Sequence, residues 1–452
     1  MDESTLVVTE VQPEAPMSSV VSEAAAVQPH VMKIFIDPVT QPTQKGSERI
    51  RFDFNIGCRV ELPLLSGEKW RLRFSDTDTG NTVFEVESQG GTFQSTKVYY
   101  VPFKIEVWRN DRLVFVHVYS ARDKNIQIQI PVGTLGDAIA WFPYGDLFQK
   151  KHDCKLTCVV SEPVMAMFKP AYPNIQFVLF KDAENIQKNF YATYRMGLFF
   201  DDWNCTHQPV DFRYVGLHKT AAHILGVQPV EAPPRIHIPT RERTITEPYV
   251  CIAVQSSTQC KYWNNPYGWR ELVIWLKSCG YRVLCIDKEA THGQGIVWNH
   301  IPHGAEDFTG ALPLPERAAL LKHADFFVGL SSGLAWLAWA VGTPVVMISG
   351  FTHPNNEFHT DYRVFNHHAC NSCWNDPKVM FDHFDFLWCP RHKGTDRQFE
   401  CTRLITTEHV QSVIRKIPGF LAVQPNAMEK AVTPITLNVE KSAARKLAKK
   451  PR

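Results

Sequence analysis

Two kinds of spacing between hydrophobic residues divide the chain. From about residue 31 to residue 125, apolar and polar residues alternate in short runs such as Trp70–Phe74 and Leu113–Val118. Alternation of this kind is typical of β-strands with one buried face. Turn-forming pairs such as Gly90-Gly91 and Asn110-Asp111 separate the runs. The pattern therefore predicts an N-terminal all-β domain, a sandwich or small barrel, over residues 31–125.

From Ile126 onward, apolar runs of strand length alternate with stretches of helical period. Ile126–Ile130 predicts a strand, and Asp137–Phe148 predicts a helix kinked at Pro143. The alternation resumes at Tyr249, after a polar, Pro-rich stretch that is typical of an interdomain linker. Repeated strand–helix units favour an α/β fold with parallel sheets. We expect two Rossmann-like domains, residues 126–235 and 249–420, which face each other across a cleft.

One stretch of the chain imitates a membrane span. Between Phe326 and Asn356 there is no Asp, Glu, Lys or Arg, which satisfies the length of a transmembrane helix. Glycine and serine interrupt the stretch near its start, and Gly342-Thr343-Pro344 interrupts it near its end. These interruptions predict a buried strand, loop, helix and strand, and no membrane span.

Charge and composition narrow the class of protein. The 452 residues include 48 basic and 46 acidic ones, and a net charge of +2 is too even for a surface that binds nucleic acid throughout. Residues 1–30 and 421–452 lack a hydrophobic period, so we expect disordered tails, the second of them basic. The first tail has no Lys or Arg, unlike a signal peptide, and the chain has 12 cysteines. Both features favour the cytoplasm.

Three loops lie where a predicted strand ends and a helix begins. In the first, residues 131–137, Gly133 and Gly136 would let the backbone approach a substrate while Asp137 points into the crevice. Asp137 could instead only complement the helix dipole, as an acidic residue in a first helical turn does without any catalysis.

The other two loops carry groups that attract anions. Lys261, in residues 256–263, is placed to neutralise a phosphate leaving group, although a solvated loop lysine is the simpler interpretation. Ser331, Ser332 and Gly333 precede a helix whose free N–H groups form an anion site. A Gly/Ser-rich turn before a helix is common, so this third loop is informative only together with the others.

Four cysteines form the most specific motif. Cys370, Cys373, Cys389 and Cys401 have the spacing C-x2-C-x15-C-x11-C, in a polar insertion at residues 366–403. A C-x2-C knuckle with a second pair completes a tetrahedral site that suits zinc or iron. Four sulfurs leave no open position, so a structural metal is predicted. The alternative, four unrelated thiols in a core, fits the polar surroundings poorly.

The loops resemble those of the lipopolysaccharide heptosyltransferases. The resemblance rests on Leu135-Gly136-Asp137, the lysine loop, Leu330–Ala338 and Val341–Val345. Over residues 31–420 the chain is similar to the bacterial autotransporter heptosyltransferases of the TibC type, which also pair a β domain with this core and a four-cysteine insertion. The third loop departs from the lipopolysaccharide enzymes, because Ser331-Ser332-Gly333 and Trp336 replace an Asp-Thr-Gly and a His. A different acceptor is implied.

The resemblance implies a GT-B glycosyltransferase that moves heptose from ADP-glycero-β-D-manno-heptose to serines of an autotransporter adhesin. Asp137 would be the base of an inverting reaction. The implied substrate-binding residues are Gly133, Thr134, Leu135, Gly136, Lys261, Ser331, Ser332 and Gly333. The resemblance favours one structural Fe(3+) per chain, with zinc as the alternative, and a homo-oligomer such as a dodecamer. A lipopolysaccharide-core heptosyltransferase and a metal-finger module that binds nucleic acid or protein are the alternative functions.

Overall fold

The computed structural model of the protein describes residues 35–131, 134–239 and 242–421. Gly133, the whole of the first predicted tail and all of the second beyond Leu421 lie outside these ranges. Contacts between Cα atoms group the described residues from Phe35 onward into one unit. Nine strands lie between residues 44 and 129: β1 Gln44–Lys45, β2 Arg51–Asn55, β3 Arg59–Leu62, β4 Trp70–Asp76, β5 Thr82–Ser88, β6 Gly91–Gln94, β7 Phe103–Arg109, β8 Arg112–Val118 and β9 Asn125–Gln129.

Four of these strands form an antiparallel sheet in the order β5-β4-β7-β8. The sequence pattern explains its two faces. Trp70, Leu72 and Phe74 of β4 are buried, while Arg71 and Arg73 between them are partly exposed. Because successive side chains of a strand point to opposite faces, the alternation places every second residue in the core.

The next elements form a Rossmann-like unit. They are α1 Leu135–His152, β10 Lys155–Val160, α2 Glu162–Phe168, β11 Gln176–Leu179, α3 Phe180–Ala183, β12 Ala192–Arg195, α4 Phe212–Val215 and α5 Leu217–Leu225. Strands β9 to β12 pair in parallel, in the order β11-β10-β9-β12. Helix α1 contains Pro143 and continues beyond the predicted end at Phe148 to His152.

The first sheet does not stop at the predicted boundary near residue 125. Strand β2 pairs in parallel with β12, with Phe54 opposite Ala192. Strands β3 and β6 then extend the same sheet in antiparallel fashion, and β1 pairs with β2. The N-terminal strands are thus shared between a separate four-stranded sheet and an eight-stranded mixed sheet. Local alternation could not predict this, because the same pattern suits a strand of either sheet.

The second half contains a six-stranded sheet in which each neighbouring pair is parallel, with the order β17-β14-β13-β18-β19-β20. Strands β15 and β16 form a separate hairpin. The strands are β13 Tyr249–Ala253, β14 Arg282–Cys285, β15 Thr291–Gln294, β16 Val297–His300, β17 Glu306–Asp307, β18 Phe327–Leu330, β19 Val345–Ile348 and β20 Arg363–Val364. The helices are α6 Gly268–Ser278, α7 Leu314–Lys322, α8 Gly333–Ala340, α9 Glu400–Arg403 and α10 Thr407–Ile414.

The charge-free stretch at 326–356 forms β18, α8 and β19, as its glycines and proline predict. Both strands are wholly buried, and the helix has only eight residues. Among the described residues, no helix has both the length and the apolar character that a membrane crossing requires.

Candidate active site and cysteine segment

The first predicted loop ends in a hydrogen-bonded start of α1. Thr134 is the N-cap residue, and Asp137 follows three positions later. Oδ2 of Asp137 accepts the backbone N–H of Thr134 at 3.2 Å and its hydroxyl at 2.8 Å. Asp137 therefore does stabilise the helix start, as the simpler interpretation held. Among the described residues, Oδ1 of Asp137 has no hydrogen-bond partner and stays available for another group.

The environment of Asp137 is unusual for an acidic residue in a first turn. Burial raises the pKa of Asp137 above its usual range, while the hydrogen bonds from Thr134 and the charge of Lys261 oppose this rise. Lys261 belongs to the second loop, which is separated from Asp137 by more than a hundred residues. The fold thus brings the first and second loops close enough for their charges to interact.

The third loop packs directly on the first. A Cβ added to Gly333 would lie 2.7 Å from Cβ of Leu135, and one added to Gly136 would lie 2.9 Å from Cδ1 of Trp336. Both glycines therefore permit the starts of α1 and α8 to approach closely. Ser332 is the N-cap residue of α8. We call the place where residues 134–137, Lys261 and residues 331–333 meet the loop junction.

Two buried carboxylates that the sequence did not reveal support these loops. Asp287 accepts the N–H of Val254 at 2.8 Å and of Gln255 at 3.2 Å, where β13 leads into the lysine loop. Burial raises the pKa of Asp287 to about 6. Thr352 lies 3.1 Å from the hydroxyl of Ser331 and donates to Glu357 at 2.5 Å. In the sequence, the only indication of Asp287 was an acidic residue directly after an apolar strand.

The four predicted cysteines lie in one neighbourhood, but a four-sulfur site is not confirmed. Cys370 instead groups with His392 and Glu400, whose ligand atoms all lie within 4.8 Å of one another. Cys373, Cys389 and Cys401 interact electrostatically with each other and with Cys370. Burial, with smaller contributions from the neighbouring Cys370 and Cys389, raises the pKa of Cys373 to about 12.

The chemistry of these donors fits a metal ion. Thiolate, imidazole and carboxylate groups are all ligands of zinc and of iron. Buried thiols that raise one another's pKa lose their protons readily only when a cation compensates the charge. His392 and Glu400 were not expected as ligands, because the sequence interpretation assumed that four sulfurs fill the coordination shell.

Residues 366–403, which we call the cysteine segment, contact both halves of the molecule. Asn375 donates to the carbonyl of Arg213 at 3.1 Å. The ring of Trp374 lies 5.5 Å from that of Phe200, between centroids. On its other side the segment meets the lysine loop, where the N–H of Gln259 donates to the carbonyl of Phe386 at 2.9 Å. The cysteine segment therefore borders the loop junction.

Two family models match the chain. The model described as glycosyltransferase TibC, N-terminal domain, matches residues 46–111. The model described as glycosyltransferase family 9 (heptosyltransferase) matches residues 196–379. The first match covers three strands of the antiparallel sheet, β4, β5 and β7, and the second covers the end of the first α/β unit and most of the second unit.

Relatives match over nearly their whole length. The autotransporter heptosyltransferase Aah of Escherichia coli is 54% identical over 389 residues, which is 86% of this chain and 98% of Aah. BimC of Burkholderia thailandensis, named an inactive autotransporter heptosyltransferase, is 45% identical over 394 residues, 85% of this chain and 90% of BimC.

The fold also matches a solved structure. Dodecameric, iron-containing heptosyltransferase TibC, in complex with ADP-D-beta-D-heptose, gives a TM-score of 0.81 at 52% identity and covers 84% of this chain and 99% of that one. TibC comes from Escherichia coli. On sequence and structure together, the chain belongs to the autotransporter heptosyltransferases, which are glycosyltransferases of family 9.

Proposed function

We propose that the protein transfers heptose from ADP-glycero-β-D-manno-heptose to serine hydroxyls of an autotransporter adhesin, with inversion of the anomeric carbon. The observation that carries this proposal is the interaction between Asp137 and Lys261 at the loop junction. A carboxylate can take the proton of the attacking hydroxyl, and a cation can stabilise the negative charge of the leaving diphosphate. The names of the relatives and the ligand of TibC support this donor and this class of acceptor.

Asp137 acts as the general base. Thr134 holds Oδ2, which fixes the plane of the carboxyl group, and Oδ1 accepts the proton of the attacking serine hydroxyl. Because burial raises the pKa of Asp137, its carboxylate is a stronger base than that of an exposed aspartate. The serine oxygen attacks the anomeric carbon from the face opposite the nucleotide, and the bond to the phosphate oxygen breaks.

The departing ADP gains negative charge, which Lys261 and the start of α8 stabilise. Free N–H groups at the beginning of a helix bind phosphate oxygens, and Ser332 and Gly333 occupy that position in α8. Leu135 and Gly136 pack the first loop against this helix start. This packing holds the base close to the proposed diphosphate site.

We infer that the cysteine segment holds one structural metal ion per chain, Fe(3+) with zinc as the alternative. Cys370, Cys373, Cys389 and Cys401 are the proposed ligands, with His392 and Glu400 beside Cys370. The iron content of TibC supports iron. When bound, the ion would fix the fold of the segment by compensating thiolate charge. The residues of the loop junction supply the transfer step itself.

The assembly and location are proposed on similar grounds. A homo-oligomer, and a dodecamer in particular, is supported by the dodecameric TibC. The cytoplasm is supported by the cysteines, since the twelve described cysteines form no disulfide and eight of them lie outside the cysteine segment. Free thiols in such number are typical of a reducing compartment.

Co-expression with candidate adhesins tests the function, with the intact mass of the adhesin as the measurement. We expect the adhesin to gain mass in steps of one heptose residue, and none when ADP-heptose synthesis is absent in the host. Because BimC is named inactive, activity must be measured on this chain directly. Heptose added only to the lipopolysaccharide core, with the adhesin unmodified, would contradict the proposal.

A further inference from the structure

The ammonium group of Lys261 lies beside two aromatic rings. It lies 5.7 Å from the ring centroid of Phe351 and 5.7 Å from that of Trp374. Its charge acts on Asp137 and on His383. Among the described residues, Lys261 makes no hydrogen bond and no ion pair through its ammonium. The aromatic faces hold a cation in place without satisfying its hydrogen-bond donors.

Trp374 carries a second unsatisfied donor next to this ammonium. Its indole Nε1 is buried and has no acceptor among the described residues. A buried N–H group without an acceptor is destabilising, so such groups usually have a hydrogen-bond partner when the site is occupied. Two donor groups without acceptors, one of them charged, favour an anion.

The lysine loop and the cysteine segment are packed as one body around this point. Cys260 lies in a hydrophobic cluster with Phe351, Trp388 and Phe399, and Trp374 packs against the same cluster. The backbone hydrogen bond from Gln259 to Phe386 joins the two segments a second time. Trp374 itself directly follows Cys373. Its position therefore depends on the cysteine segment and on the rings of Phe200 and Phe351, on which it packs.

We propose that Trp374 belongs to the donor site, where its ring holds Lys261 and its indole N–H donates to a diphosphate oxygen of the nucleotide sugar. This inference rests on the proposed function, since it assumes that Lys261 binds the diphosphate. The cysteine segment would then take part in donor binding through Trp374, which lies outside the three loops. The indole N–H adds a neutral donor to the cation, which improves recognition of a phosphate over water.

Two substitutions separate the two roles of Trp374. Trp374→Phe keeps the aromatic ring and removes the N–H, whereas Trp374→Leu removes both. Calorimetric titration of the metal-loaded, full-length protein with ADP and with adenosine is the measurement. Trp374→Phe should weaken ADP about fivefold, the value of one hydrogen bond, and leave adenosine unchanged. Trp374→Leu should weaken ADP further, because Lys261 loses a ring that positions it.

Trp269→Phe is the matched control. Trp269, which lies in α6, also has a buried indole N–H with no acceptor among the described residues, and its ring packs on that of Trp263. We expect this variant to bind ADP as the wild type does. Equal loss of ADP affinity in Trp269→Phe and Trp374→Phe would overturn the proposal.

Further outcomes are equally decisive. Unchanged ADP affinity in Trp374→Phe overturns the N–H contact, and unchanged affinity in Trp374→Leu overturns the positioning of Lys261. If Trp374→Phe lowers the metal content, the contact is tested by comparing Trp374→Phe with Trp374→His, which keeps a ring N–H. Equal ADP affinity in the His and Phe variants then overturns the contact. A wild-type protein that does not bind ADP at all would overturn the proposed function itself.

Discussion

The first loop and the cysteine segment both reach Lys261, but they are held in place by different means. Thr134 and Asp137 are three residues apart, and their two hydrogen bonds form as soon as α1 begins. The cysteine segment has only short helical turns between residues 366 and 399, and no strand. Its order must come from packing and from the proposed metal. One side of the site is therefore built locally, and the other depends on contacts distant in sequence.

This difference predicts that substitutions in the first loop affect chemistry, whereas substitutions in the cysteine segment affect metal content, order and donor binding together. The four predictions that follow test the contrast, beginning with the largest expected effect.

Asp137→Asn should lower transfer to the adhesin by about 100-fold or more, the scale expected for loss of a general base. ADP affinity should stay close to that of the wild type, because the amide oxygen can still accept from Thr134. A transfer assay and calorimetric titration measure the two quantities. Asp146→Asn, also in α1 and paired with Lys150 at 2.6 Å, is the control and should retain transfer. Normal transfer by Asp137→Asn would require a different base.

Cys370→Ser should reduce bound metal at least about tenfold, because a serine hydroxyl is a far poorer ligand than a thiolate. Elemental analysis gives the metal content, and titration with ADP should show weaker binding in the same preparation. Cys205→Ser is the control, since Cys205 is a partly exposed free thiol outside the segment. A wild-type protein with less than about a tenth of an ion per chain would contradict the proposed metal site.

Lys261→Ala should weaken ADP about tenfold, since a charged hydrogen bond contributes roughly 1.5–3 kcal/mol. Unlike Asp137→Asn, this variant should lose affinity for ADP and ADP-heptose alike, because the diphosphate is common to both. Lys277→Ala, which removes an exposed lysine that donates to the carbonyl of Gly304 at 3.0 Å, should bind ADP normally. Loss confined to ADP-heptose would show that Lys261 contacts the sugar instead.

Asp137→Asn should also leave thermal stability at neutral pH equal to that of the wild type or higher. Burial raises the pKa of Asp137 in the folded protein, so ionisation of this carboxyl opposes folding. The penalty is absent below the pKa of the unfolded chain, where both states are protonated, and it appears as the pH rises. Thermal unfolding of both proteins between acidic and neutral pH checks the sign. A variant less stable only at neutral pH would show that Thr134 and Lys261 outweigh burial.

Much of the fold could be predicted from local patterns. Where the hydrophobic runs predicted a strand or a helix, as at Ile126–Ile130 and Asp137–Phe148, the element lies within a few residues of the prediction, since burial and helix capping act over short distances. The predicted helix at Asp137–Phe148 already ran through Pro143, as α1 does, but it ended four residues before His152, the last residue of α1. A helix packed on both sides can tolerate a proline that an isolated helix would not.

The candidate site was predictable only in part, and most of the residues that were missed share one property. Asp287 and Trp374 act through partners far from them in sequence, so no spacing marks them. The same holds for His392 and Glu400, which join Cys370 only in the folded segment. Glu357 differs, because its partner Thr352 lies only five positions before it.

By itself, the sequence determined the strand and helix positions, the two strand–helix series and the cysteine motif, because each depends on residues close together in the chain. Only the tertiary structure decided that β2, β3 and β6 extend the first Rossmann-like sheet. It also decided that Asp137 and Lys261 interact and that Trp374 stands beside that lysine. Strand pairing and side-chain contacts across the fold depend on how whole elements pack. The local hydrophobic period does not specify which strand or side chain an element will contact.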